Sequence, residues 1–166
     1  IKQLTKNLKQ EDYNEKNSDL FSFLQTPDLQ YSQQQEIKEF IAFLNSKEFL
    51  TFIEKITDIS TVSGKTDTFA AIYRQYDYLL CHDDVIDNRK IAFIIYCSEN
   101  FTEKDGGSLQ LFNTEKKLPK KIIQSITPTY NSLVMFKVSQ HSFHQVEEVY
   151  TNKERLTCGG WFNGHK

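Results

Sequence analysis

Past Thr66 the chain is cut into short β-prone stretches, each stopped by a turn signal, and that punctuation narrows the fold more than any other feature. Phe69, Ala71 and Tyr73 alternate with their neighbours, as do Tyr76, Tyr78, Leu80 and His82, the period of a strand with one buried face. Residues 91–97 are an unbroken β-rich apolar run, which predicts a strand covered on both faces. Asp105-Gly106-Gly107 is a turn signal ahead of Leu109 and Leu111. The charged stretch 116–121, which contains Pro119, reads as a solvated loop. Residues 132–138, 143–150 and 155–162 supply further strands. At least seven short strands of this kind predict a mainly β sandwich or jelly roll.

Residues 1–60 have a different period and read mainly as helix. Ile37, Phe40, Ile41 and Leu44 fall at i, i+3, i+4 and i+7 within 33–45. Ser46 is a natural N-cap for a following helix with Phe49, Ile53 and Ile56 on one stripe. Both stripes are expected to pack on the sheet from outside. Residues 14–17 are polar and read as loop, and 19–25 as helix or edge strand. The expected organisation is one domain over 1–166, with helical support to about residue 60 and a β core from about 66 to 164.

Composition excludes some functions. Lys plus Arg is 20 against 22 Asp plus Glu, too balanced for a nucleic-acid binder that works by charge neutralisation. No apolar stretch approaches the length of a membrane span, and no secretory signal is visible. The chain starts at Ile1, which leaves room for a preceding segment. Cys81, Cys97 and Cys158 are scattered and odd in number, unlike a disulfide framework or thiolate zinc site. The expected location is the cytoplasm, the nucleus or both, with no membrane or direct nucleic-acid partner.

The chemistry-bearing residues begin with His82-Asp83-Asp84. On a strand, i and i+2 share a face, so His82 and Asp84 project together. A second histidine completes a two-histidine, one-carboxylate set of the kind that holds non-haem Fe(II) with positions left open. H-x-D alone is a weak motif, and a capped surface turn is the plain alternative. The second histidine is His144 or His141, which cannot both face one point from a strand. Arg155 opens an otherwise apolar, glycine-bearing strand. An arginine there is ordinarily a surface charge, or else a fork for a carboxylate in a pocket. Thr157 and Trp161 share its parity, and Thr157 offers a second hydrogen bond.

The ordered set His82, Asp84, a histidine sixty residues on and Arg155 eleven residues further resembles the Fe(II)- and 2-oxoglutarate-dependent dioxygenases. Leu79-Leu80-Cys81-His82-Asp83-Asp84, the stretch from Arg89 to Tyr96, Gly106-Gly107-Ser108-Leu109, Ser142-Phe143-His144-Gln145-Val146 and Gly160-Trp161-Phe162 resemble the catalytic domain of the ribosomal prolyl hydroxylases. The resemblance is strongest over 73–164 and recognisable earlier, as in Ser18-Asp19-Leu20-Phe21-Ser22-Phe23. It implies a double-stranded β-helix with helices packed outside, Fe(II) and 2-oxoglutarate as cofactor and cosubstrate, and stimulation by ascorbate. It also implies a prolyl loop of a small-subunit ribosomal protein as substrate.

By the same resemblance His82, Asp84 and His144 match the iron ligands. Arg155 and Tyr96 match the pair that binds the distal carboxylate of 2-oxoglutarate. Tyr73 matches a tyrosine near the iron, and Trp161 a tryptophan after the arginine. Thr157 stands where serine is more usual, which keeps the hydroxyl. Family members carry a second jelly-roll domain after this one, whereas the chain ends at Lys166. The competing expectations are an oxygenase of the same chemistry on another target, a catalytically silent jelly-roll module, and, behind these, a zinc hydrolase.

Overall fold

The structure, a computed structural model, describes residues 1–59, 62–86 and 88–164. Its strands form one ten-stranded antiparallel sheet: β1 (Asn14–Ser18), β2 (Phe21–Gln25), β3 (Val62–Tyr73), β4 (Tyr78–His82), β5 (Arg89–Tyr96), β6 (Leu109–Glu115), β7 (Leu118–Ile126), β8 (Leu133–Lys137), β9 (His144–Val146) and β10 (Arg155–Gly164). The order is β7-β6-β9-β4-β2-β3-β10-β5-β8, with β1 added to β2. Most neighbours are distant in sequence, as a jelly roll requires. The sheet curls over on itself. Phe136 of β8, at one end of the order, meets His144 of β9 edge-on at 4.7 Å.

Strands β5 and β10 carry the centre. Ile91, Ala92 and Phe93 are buried in succession, and so are residues 155–160, as expected for strands covered on both faces. Backbones approach closely here. A Cβ on Gly160 would lie 1.7 Å from the Asp67 carbonyl, so only glycine fits.

The outer face is closed by α1 (Lys2–Leu8), α2 (Gln35–Leu44) and α3 (Lys47–Thr57). Leu4, Leu8 and Ile37 pack on Ala70, Ile72, Leu156 and Cys158, while Leu44 and Ile53 pack on Ile91, Phe93 and Phe162. Each such aliphatic side chain is worth about 1.5–3 kcal/mol on burial. Ser46 caps α3 by accepting from the Phe49 N–H at 3.2 Å, and Asp58 ends it in the left-handed region. The inner face of the sheet is left to Phe23, Ala71, Tyr73 and Val146, which border a cavity.

Several expectations are corrected. The first sixty residues hold more helix than strand, but they are not all helical support: β1 and β2 lie between α1 and α2. Residues 14–17, read as loop, form most of β1, whose five side chains are all exposed and so show no alternation. Residues 19–25 contain β2, which is not an edge strand: it has β1 on one side and β3 and β4 on the other. The solvated loop read at 116–121 is a two-residue turn running into β7. Lys116 and Lys117 both have positive φ, the turn that suits a hairpin, and Pro119 sits on the outermost strand opposite Thr114, where no ladder bond is lost. Tyr76, placed in an alternating strand, lies in a turn with φ of 72°. Ile56, placed on the buried stripe of α3, is half exposed. The strand read over 143–150 shortens to β9, followed by a bridge between Gly106 and Val149.

Candidate active site

His82 closes β4 and His144 opens β9, and the two are direct cross-strand partners. This pairing sets their rings 4.2 Å apart. Each ring is fixed by the same local device: His82 Nδ1 bonds the Leu80 carbonyl and His144 Nδ1 the Ser142 carbonyl, both at 2.8 Å. A carbonyl only accepts, so Nδ1 carries a proton in each and Nε2 is the nitrogen turned toward Asp84. Asp84 joins them from just beyond β4. Strand parity does not deliver it; it has φ of 62°, and this left-handed residue turns the carboxylate back. Oδ1 lies 3.3 Å from His82 Nε2 and Oδ2 3.5 Å from His144 Nε2. One ligating atom from each residue falls within 4.8 Å of the others. His141 is elsewhere, exposed and bonded to Thr114 Oγ1 at 2.8 Å.

The electrostatics suit a cation. Burial works against the charge on Asp84, but His82, His144 and the Trp161 N–H outweigh it and hold the carboxyl below its usual range. Burial and the charge on His82 press His144 down to about 4, so it is neutral and ready to ligate. Burial lowers His82 as well, yet its bond to Asp84 and the nearby negative charge leave it raised overall.

The same cavity, of about 360 Å³, runs from this cluster to Arg155 and Thr157. Arg155 is 1% exposed. Its Nε donates to the Gly107 carbonyl at 2.7 Å, and its guanidinium lies 5.1 Å from the Tyr73 ring and 5.2 Å from the Tyr96 ring. Gly107 has φ of 68°, and a Cβ there would press on Arg155 Cδ at 3.0 Å, so glycine leaves the arginine its space. Two buried polar atoms in this region have no partner among the described residues: Nη2 of Arg155, which lines the cavity, and Oη of the neighbouring Tyr96. Buried donors without partners are rare and costly, and together they form a receptor for an anion. Burial pushes the Tyr96 hydroxyl up against the pull of Arg155, so it stays a donor.

Tyr73 stacks on Phe23 at 4.9 Å and forms the floor under Arg155. Thr157 makes only a long contact, 3.5 Å, to the Ala71 carbonyl. Trp161 Nε1 donates to Asp84 Oδ2 at 2.9 Å, a bond not foreseen from strand parity. Two residues not singled out in the sequence also serve the site. Ser142 Oγ donates to the Asp83 carbonyl at 3.0 Å and so ties the Asp84 turn to the His144 turn. Arg89 lies over the Trp161 ring. A serine in a turn and an arginine opening a strand carry no signal of their own.

Residues 68–163 match the 2OG-Fe(II) oxygenase superfamily, and the chain belongs to that family. Its residues fit the two groups the family uses: three inward-facing ligand atoms suit Fe(II), and the unpartnered pair at Arg155 and Tyr96 suits a carboxylate end of 2-oxoglutarate. Among curated proteins the chain is 39% identical over 163 residues to a mouse prolyl 3-hydroxylase, OGFOD1, covering 97% of the chain and 30% of that protein. It is 36% identical over 164 residues to an Ostreococcus tauri protein named prolyl 3,4-dihydroxylase OGFOD1, covering 89% and 32%. The chain thus spans about a third of the length of the curated relatives it matches. Among solved structures it resembles a Pseudomonas putida prolyl-4-hydroxylase with a TM-score of 0.78 at 18% identity, covering 99% of this chain and 86% of that one. It also resembles a Trichoplax adhaerens prolyl hydroxylase in complex with a hypoxia inducible factor peptide, with a TM-score of 0.72 at 17% identity, covering 97% and 76%. At these identities the two structures bear on the fold alone.

Proposed function

We propose that this chain hydroxylates a prolyl residue of a protein, with a small-subunit ribosomal protein as the substrate. The observation that carries the chemistry is the joining, in one cavity, of the His82, Asp84 and His144 cluster to Arg155, whose guanidinium has an unpartnered nitrogen and lies 5.2 Å from the Tyr96 ring. The curated relatives, named as prolyl hydroxylases, support a prolyl target, and the ribosomal substrate rests on the motif resemblance alone.

In this reading His82 Nε2, His144 Nε2 and the Asp84 carboxylate hold Fe(II), and Arg155 with Tyr96 holds the distal carboxylate of 2-oxoglutarate. When bound, iron and 2-oxoglutarate would activate dioxygen, the oxidant: one of its oxygen atoms would enter succinate as 2-oxoglutarate loses carbon dioxide, and the other the C–H bond of the substrate. The protein supplies orientation. Neutral His144 has no proton to shed before ligating, and Asp84 brings the compensating charge. Tyr73 and Gly107 hold the guanidinium at the cavity wall. Phe21, Phe69, Phe136 and Trp161 line the rest of the cavity, an apolar wall suited to a prolyl ring that also keeps water out. Thr157 rounds off the carboxylate end. The free thiols Cys81, Cys97 and Cys158 accord with work in the cytoplasm or nucleus.

The test is mass spectrometry of a peptide carrying the decoding-centre proline loop, incubated with protein, Fe(II), 2-oxoglutarate and oxygen. One added oxygen on proline is expected, lost in His144→Ala and kept in His141→Ala. Equal loss in both variants with the fold intact refutes the choice of His144. Succinate release over an unmodified peptide refutes the substrate while leaving the oxygenase reading in place.

A further inference from the structure

Asp84 is the only one of the three candidate ligands not locked by a backbone carbonyl. It follows the end of β4 in a left-handed conformation, and from outside the triad its carboxylate accepts a 2.9 Å hydrogen bond from Trp161 Nε1. How well that bond is aimed depends on how well the indole is held. One side of the indole meets Phe69, at 5.5 Å between ring centres. Arg89, from the start of β5, places its guanidinium carbon 3.3 Å from the ring centre, a cation–π stack at contact distance. Arg89 Nη1 is 4.0 Å from Asp84 Oδ1, at the limit of an ion pair. Of these two contacts, the one with the indole is the closer.

We infer that Arg89 is a positioning residue of the metal site, acting through Trp161: the guanidinium clamps the indole, and the indole N–H sets the Asp84 carboxylate. The inference rests on the reading of the triad as a metal site and is independent of the substrate. It assigns Arg89 a stacked, planar role, which lysine cannot fill. It also makes Trp161 a link between the cavity wall and the metal carboxylate, because the ring that borders the substrate space holds Asp84 by its edge.

The experiment measures Co(II) affinity and the Co(II) visible spectrum of the protein without turnover. Trp161 is the single tryptophan, so its fluorescence reports the clamp directly. Partners that orient metal ligands are typically worth 10- to 100-fold in metal affinity. Trp161→Phe keeps the ring against Phe69 and removes the N–H, and is expected to weaken Co(II) binding about 10-fold. Arg89→Met keeps an aliphatic stem and is expected to weaken binding several-fold, shift the Co(II) spectrum and alter the fluorescence of the metal-free protein. The double variant should bind no more weakly than Trp161→Phe alone, since the route through the indole is already cut. If Arg89→Met does not fold, Arg89→Lys supplies the same arm of the cycle. Additive losses overturn the route through Trp161, as does wild-type affinity in Arg89→Met or full retention of affinity by Arg89→Lys. Failure of the wild-type protein to bind Co(II) overturns the metal reading itself, and this inference with it.

Discussion

Replacing Tyr96 by Phe separates the needs of the fold from those of the ligand. The Tyr96 ring is fully buried and its hydroxyl has no partner among the described residues. A buried hydroxyl left unpaired costs about 1–3 kcal/mol, so removing it takes a penalty out of the ligand-free state. Tyr96→Phe should leave that state unchanged or about 1 kcal/mol more stable, a rise in Tm of up to about 2–4 °C for a chain of this size. Ligand binding moves the other way. A hydrogen bond to a charged carboxylate is worth about 1.5–3 kcal/mol, so 2-oxoglutarate should bind about 10- to 100-fold more weakly. The opposite signs are the signature of a group kept for its ligand. Thermal unfolding of the metal-free protein gives the first quantity, and anaerobic calorimetry of 2-oxoglutarate binding with Mn(II) in place of iron gives the second. A variant that loses several degrees of Tm and keeps its 2-oxoglutarate affinity would refute the reasoning, for the hydroxyl would then belong to the fold.

Two further outcomes concern the turn at residues 105–107. Asp105 accepts from Lys153 Nζ at 2.8 Å, from Thr102 N and Oγ1 and from Thr151 Oγ1. The lysine first, against burial, and then the threonines hold it well below the usual carboxylate range. A depressed carboxylate contributes stability above its unfolded pKa of about 3.9 and loses it as pH falls through the folded value. The Tm difference between wild type and Asp105→Asn should therefore be full at pH 6–7 and shrink progressively below pH 4; a difference that stays constant down to pH 2 counts against the charge pairing. Gly107→Ala places a methyl group 3.0 Å from Arg155 Cδ at a positive φ. It should cost about 1–2 kcal/mol in stability and weaken 2-oxoglutarate binding beyond that, read by the same calorimetry; unchanged affinity would show that the cradle yields.

Much of the site is legible in the sequence because its spacing reflects strand geometry. His82 and His144 are cross-strand partners, and Arg155 begins the strand whose inward residues line the cavity. The spacing brings His82 and Asp84 together for a reason that is only half right: i and i+2 do converge, but through a left-handed residue past the strand end. What escapes the sequence is whatever lacks a local pattern. Strand β1 is exposed on both faces, so it has no period. The Lys116-Lys117 turn adopts a conformation for which Asn-Gly is the usual signal. The place of β2 inside the sheet, like the stack of Arg89 on Trp161, arises from contacts between distant segments. Helical stripes and the Ser46 cap are legible because they depend on near neighbours.

The pairing of His82 with His144 joins points about sixty residues apart in the chain. Before β9 docks on β4 there is no place where both imidazoles can reach one ion. During synthesis the growing polypeptide therefore cannot retain a cation at this position until the segment carrying His144 has left the ribosome. Once captured, an ion at the triad is a cross-link over a long loop, and loop closure of that size costs a few kcal/mol of chain entropy. Occupancy thus slows the opening of the β4–β9 seam, and chelation speeds it.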